Sequence, residues 1–120
     1  MTIAEMKEKI LARLNDGKGC AVDSCGTCVY RDSEGRACAV GCLIPDDVYD
    51  PGAEGPTVAN LRIKGGAWSG SSTLRSNKLA AMLNAAGIPA TPEVFQFLGA
   101  WQTLHDSPYH WDGNKYVGPR

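Results

Sequence analysis

The chain has no run approaching the roughly 18 consecutive apolar residues that a bilayer-crossing helix needs, which argues against a membrane-spanning protein. It also lacks a dominant charge: twelve Lys and Arg face thirteen Asp and Glu, so no strong field draws it towards nucleic acid or anionic lipid. There is no internal repeat, low-complexity tract or interdomain linker, and no Gly-Lys-Ser of a nucleotide-hydrolysing loop. The N-terminus reads as an amphipathic helix rather than a cleavable signal, so a cytoplasmic location is expected. Thiols stay reduced there, which argues against a disulfide framework. At 120 residues the expectation is one domain spanning 1–120 with one hydrophobic core.

What the chain does have is cysteine, five of them at positions 20, 25, 28, 38 and 42. Metal ligation, a reactive thiol and plain burial as small hydrophobes are the three readings of such a set. The pattern around them predicts an α+β fold that is mainly helical. Thr2 followed by Glu5 is a capping box, and Ile3, Met6, Ile10 and Leu14 recur at helical spacing until Asn15, Asp16 and Gly17 stop the run. A short cysteine-bearing β-hairpin is expected from Cys28 to Arg31, turning at Asp32–Gly35. Cys38–Ile44 is apolar and is read as a short buried helix, followed by a loop rich in proline, glycine and acids.

Lys64–Ser72 reads as a glycine and serine loop around Trp68. A helix capped by Ser72 or Ser76 then presents Leu79, Met82, Leu83 and Ala86, and Thr91-Pro92 opens another bearing Val94, Phe97, Leu98, Trp101, Leu104 and His105. The short connection predicts a C-terminal antiparallel helical hairpin, with Tyr109, Trp111 and Tyr116 in an aromatic tail that folds back. The expected core includes Ile10, Leu14, Cys38, Leu43, Leu79, Leu83, Val94, Leu98 and Trp101.

The stretch CVYRDSEGRACAVGCLIPDDVY at 28–49, with WQTLHD at 101–106 and Trp111, resembles a family of small uncharacterised phage and prophage proteins. These carry Cys-x-Tyr-Arg, then Cys-x-x-Gly-Cys-Leu-Ile-Pro-Asp, then Gln-x-x-His-Asp. The matching positions are Cys28, Tyr30, Arg31, Gly35, Cys38, Gly41, Cys42, Leu43, Ile44, Asp46, Tyr49, Gln102, His105, Asp106 and Trp111; Cys20 and Cys25 lie outside the pattern. The resemblance implies an accessory protein in the cytoplasm of a bacterial host. It would act by binding a host protein or small-molecule ligand, with counteraction of host defence as one such role and Tyr30, Arg31, Asp46, Asp106 and Trp111 as binding residues.

Two other readings come from the residues themselves. Cys25-Gly-Thr-Cys28 is a zinc-knuckle spacing, and Cys38 with Cys42 could supply the second pair of a structural zinc site, His105 being a substitute for Cys25. Alternatively, Cys38 at a helix start could be the nucleophile of a hydrolase or transferase, with His105 as base. Asp106 is expected to orient that imidazole poorly, because adjacent helical residues point about 100° apart, so Asp46, Asp47 or Asp112 would serve. The loop of Gly65, Gly66, Ser69, Gly70, Ser71 and Ser72, with Lys64 or Arg75, is a further candidate for anion binding.

Overall fold

The N-terminal helix α1 (Ile3–Leu14) begins as its sequence requires. The Thr2 hydroxyl accepts from the Glu5 N–H and the Glu5 carboxylate accepts from the Thr2 N–H, both at 3.1 Å. Met6, Ile10 and Leu14 are fully buried on one stripe, each stabilising by about 1.5–3 kcal/mol. Arg13 is buried beside them: Nε donates to the Ala37 carbonyl at 2.6 Å, a terminal nitrogen donates to the Gly19 carbonyl at 2.6 Å, and the other pairs with Asp16 at 3.0 Å. This guanidinium fixes the end of α1 to the two loops that carry the cysteines. The description rests on a computed structural model that covers residues 1–120 except 24–27, 72, 107–109, 114 and 118–120.

The expected cysteine-bearing hairpin is present only in part. Val22 pairs with Cys28 and Arg31 with Ala37 as single antiparallel bridges, and the turn closes where Asp32 N–H meets the Arg36 carbonyl at 3.0 Å. No regular strand develops because the Glu54 carboxylate takes the N–H groups of Tyr30, at 2.8 Å, and Arg31, at 3.1 Å. The buried helix expected over Cys38–Ile44 is instead a turn containing a single 3₁₀ segment, Gly41–Leu43. Pro45 biases Ile44 to an extended conformation, and Gly41 is pressed onto the Tyr30 carbonyl so closely that any Cβ would overlap it. Further 3₁₀ turns at Pro51–Ala53 and Val58–Asn60 continue the irregular middle of the chain.

The segment read as a glycine-serine loop is a second departure. Strands β1 (Arg62–Lys64) and β2 (Ala67–Ser69) form an antiparallel hairpin through Gly65 and Gly66, both at positive φ, 61° and 77°, as a tight two-residue turn demands. Trp68 is thereby buried. Its main chain exchanges hydrogen bonds with the Asn84 amide, and its indole N–H donates to the Ile88 carbonyl at 2.9 Å.

Helix α2 (Leu74–Ala85) is capped by Thr73, one residue from the expected Ser72, and buries Leu79, Met82 and Leu83. Helix α3 (Pro92–Asp106) is capped by the Thr91 hydroxyl and buries Val94, Leu98, Gln102 and His105. Trp101, expected in the core, is only partly buried, because the inward stripe runs through Gln102 instead. Among the described residues, α2 packs mainly on β2 and the Pro51–Ala53 turn, and α3 on the Val58–Asn60 turn and α1. The two helices, expected as an antiparallel helical hairpin, are not main packing partners of each other; Trp68 is stacked on Phe95 at 6.0 Å and bonded to the connection at Ile88. The tail folds back as β3 (Trp111–Asp112) paired with β4 (Lys115–Tyr116); Tyr109 lies outside the described residues. The whole is an α+β arrangement, and no described helix is long and apolar enough to cross a membrane.

Candidate functional site

The last carbonyls of α3 have no partner within the helix and must find donors elsewhere. A tryptophan, a histidine and two cysteines approach them, His110 Nδ1 lying 2.8 Å from the Leu104 carbonyl. Trp111 Nε1 donates to the His105 carbonyl at 2.8 Å, the Cys20 thiol lies 3.8 Å from the same oxygen, and the Cys28 thiol lies 3.6 Å from the Asp106 carbonyl. Both cysteines reach this point from one face of the paired segments 20–22 and 28–29. The Val22–Cys28 bridge and the 3.2 Å bond from Val29 N–H to the Ala21 carbonyl set that register, and the twofold alternation of extended chain points residues 20, 22 and 28 the same way. Arg13, holding the Gly19 carbonyl, fixes the approach to Cys20.

At this end of α3, Cys20 Sγ faces His105 Nε2 at 3.8 Å, while His105 Nδ1 meets the Asp106 carboxylate at 2.7 Å. The imidazole is completely buried, with the Trp111 ring edge-on at 5.5 Å, whereas Cys20 is only partly covered. Asp106 is therefore the orienting carboxylate, contrary to the expectation from helical geometry. Nδ1 is the ring nitrogen nearest the main chain, so a short neighbouring side chain at the helix end reaches it despite the divergence of the Cβ directions. With Nδ1–H donated to Asp106, the lone pair of Nε2 is left facing the sulfur. Burial works against charging the ring, but the Asp106 carboxylate and Cys20 sulfur outweigh it, so the His105 pKa stands above its ordinary 6.5.

The other described thiols are less suited to reaction. Cys38, expected to be the nucleophile, is 2% exposed, accepts the Gly41 N–H at 3.2 Å, and has its pKa driven up mainly by burial. It stands at a turn rather than a helix start, and the sulfur facing His105 belongs to Cys20. Burial also pushes Cys28 up to about 12 and Cys42 to about 11. Of the expected zinc set, Cys25 lies outside the described residues, and Cys28, Cys38 and Cys42 make separate contacts, with the Asp106 carbonyl, the Gly41 N–H and the Ala39 carbonyl. Among the described residues, no three of His, Cys, Asp and Glu are grouped so as to hold a metal ion.

The residues expected to bind a partner divide into two groups. Tyr30 is 3% exposed; its hydroxyl donates to the Pro56 carbonyl at 2.8 Å and accepts from Gln102 at 3.0 Å, while Gln102 accepts from Val58 N–H at 3.0 Å. Trp111 is likewise buried and spends its N–H on the His105 carbonyl. Both are internal struts. Arg31 pairs with Asp46, bonds the Ile44 carbonyl and lies 5.4 Å over the Tyr49 ring, so only the Asp46 end, with a side chain 92% exposed, faces outward. Asp106 belongs to the thiol–imidazole line. Behind it is a cavity of about 30 Å³, room for one water, whose lining includes Cys28, Tyr30, Cys38, Glu54, Gln102 and Asp106.

The anion-binding candidate is not assembled as expected. Gly65 and Gly66 form the hairpin turn, Ser71, Thr73 and Ser76 bond one another at the start of α2, and Arg75 donates to the Glu54 carbonyl at 2.9 Å. Ser72 lies outside the described residues. Cys20 was missed as a site residue by sequence reasoning. Cys20-Ala21-Val22 is apolar throughout, so no alternation singles Cys20 out in the sequence.

No family model, curated protein or solved structure matches the chain.

Proposed function

We propose that the protein is a thiol-dependent hydrolase or transferase in which Cys20 is the nucleophile, His105 its base and Asp106 the group that orients the base. One observation carries this reading: the sulfur of the partly buried Cys20, a buried imidazole and a carboxylate follow one another at 3.8 Å and 2.7 Å. The first spacing is loose for proton transfer, as catalytic hydrogen bonds often are before substrate tightens them. In the proposed step the Cys20 proton moves to Nε2 as the sulfur attacks an activated acyl carbon. The leaving group departs with that proton, and water or a second acceptor then releases the acyl group from sulfur.

The binding role suggested by the resemblance has less support from these residues, because Tyr30 and Trp111 use their polar atoms internally. In a phage-type setting the acyl donor or acceptor would be a host component. The test is a burst assay with an activated acyl ester. Wild type is expected to release one equivalent rapidly and to carry the acyl group on Cys20 by mass spectrometry. Cys20→Ser is expected to lose the burst, and His105→Gln to slow it by about a hundredfold or more. A burst that survives in folded Cys20→Ser would refute the assignment.

A further inference from the structure

Cys20 and Cys28 converge on the same two residues, one sulfur at the His105 carbonyl and the other at the Asp106 carbonyl. They project from one face of adjacent antiparallel segments, diagonally placed about the Val22–Cys28 bridge. Both are free thiols. From this juxtaposition we infer that Cys20 and Cys28 form a reversible disulfide by exchange with a small aliphatic disulfide of the glutathione type, switching the thiol centre off. The inference rests on the proposed reading only in taking Cys20 as the attacking sulfur.

The exchange balances in two steps. Cys20 sulfur, its proton passed to His105, bonds one sulfur of the small disulfide; the original S–S bond breaks, and the first thiolate leaves and takes that proton. Cys28 then attacks the Cys20 sulfur, the mixed disulfide breaks, and the second thiolate leaves with the proton from Cys28. Two cysteines are oxidised and one disulfide is reduced to two thiols. Residues diagonal across a regular antiparallel ladder stand about 7–8 Å apart, whereas disulfide Cβ atoms stand about 3.5–4.5 Å apart, so closure draws the two segments together. A single isolated bridge, Val22–Cys28, rather than a continuous ladder joins these segments, which permits the movement. The bond would also withdraw Cys20 from His105.

The test uses the full chain incubated with oxidised glutathione, followed by intact-mass analysis and cleavage before Asp23, which separates Cys20 from Cys25 and Cys28. The expected product is lighter by two hydrogens, carries no glutathione, links Cys20 to Cys28, resists alkylation at Cys20 and recovers on reduction. Cys28→Ser should instead retain one glutathione on Cys20, and Cys25→Ser should behave as wild type. A stable glutathione adduct on Cys20 of the wild type, a bond to Cys25, or a fully reduced chain whose Cys20 still alkylates would each overturn the inference. Mapping of the Cys25→Ser variant, in which Cys28 is the remaining thiol of that peptide, decides even if Cys28→Ser does not fold. The readout needs no acyl substrate, so a missing ester burst alongside a Cys20–Cys28 bond would reject only the acyl-transfer reading.

Discussion

Replacing Asp106 by Asn tests the thiol centre most sharply, because it keeps the shape and removes the charge. The wild-type carboxylate accepts from His105 Nδ1 at 2.7 Å, a charge-assisted bond once the ring is protonated, and such bonds contribute about 1.5–3 kcal/mol. The amide of Asn can donate to Nδ1 instead, which would put the ring proton on Nε2, towards Cys20, and leave no lone pair to take the thiol proton. At about 1.4 kcal/mol per factor of ten, alkylation of Cys20 should slow roughly ten- to hundredfold. The assay is the pseudo-first-order rate with iodoacetamide in a Cys25→Ser background, the site of reaction being assigned by mass spectrometry. Cys28, Cys38 and Cys42, all with raised pKa, serve as internal controls that should barely react. If folded Asp106→Asn alkylates at the wild-type rate, the carboxylate does not govern the sulfur and the triad reading fails.

The same pair sets a pH dependence of stability. Because the His105 pKa is raised in the folded state, its contribution is fully present below the ordinary 6.5 and is lost as pH rises through the folded value. The groups facing the ring are Asp106 and Cys20, with Cys28 beside Asp106 and the uncharged Trp111 edge. The difference in melting temperature between wild type and Asp106→Asn should therefore shrink from about pH 6 to about pH 9, and a gap that widens would contradict the sign. Gln102→Leu leaves the buried Val58 N–H without its acceptor while Tyr30 keeps the Pro56 carbonyl, so urea unfolding should show a loss of about 1–3 kcal/mol. An unchanged midpoint would mean that the Gln102 bridge is not a strut.

Local signals were legible in the sequence where local chemistry decides the structure. The Thr2–Glu5 box, the Met6–Ile10–Leu14 stripe and the Thr91 cap follow from residues three or four apart. What was not legible depends on distant partners. Glu54 removes the N–H groups that a strand at Tyr30 and Arg31 would have used, and Pro45 with the crowded Gly41 stops a helix that apolar composition alone favours. The Gly65–Gly66 turn was hidden because three-residue strands give too little alternation to distinguish from a loop, although the Trp68 between glycines and serines was the residue with most to gain from burial. His105 stands out in the sequence, but the sulfur that faces it lies 85 residues away in an irregular segment, where periodicity carries no information.

One structural role competes with chemistry at this site, and the two make opposite demands on the same atoms. If the cysteines only cap α3, a hydroxyl would do the work better than a thiol, which is a weak donor to the carbonyls it approaches at 3.8 Å and 3.6 Å. Trp111 already gives the His105 carbonyl a strong donor at 2.8 Å, so the Cys20 thiol is redundant there as a cap. A capping account also leaves the His105–Asp106 contact without a purpose, since a buried imidazole could satisfy Nδ1 on a neutral carbonyl without holding a carboxylate beside a helix C-terminus, where negative charge is disfavoured. A carboxylate kept there against the helix dipole, an imidazole turned by it, and a weakly held sulfur beyond are what the proposed proton transfer to and from Cys20 would require. Capping explains only the carbonyls.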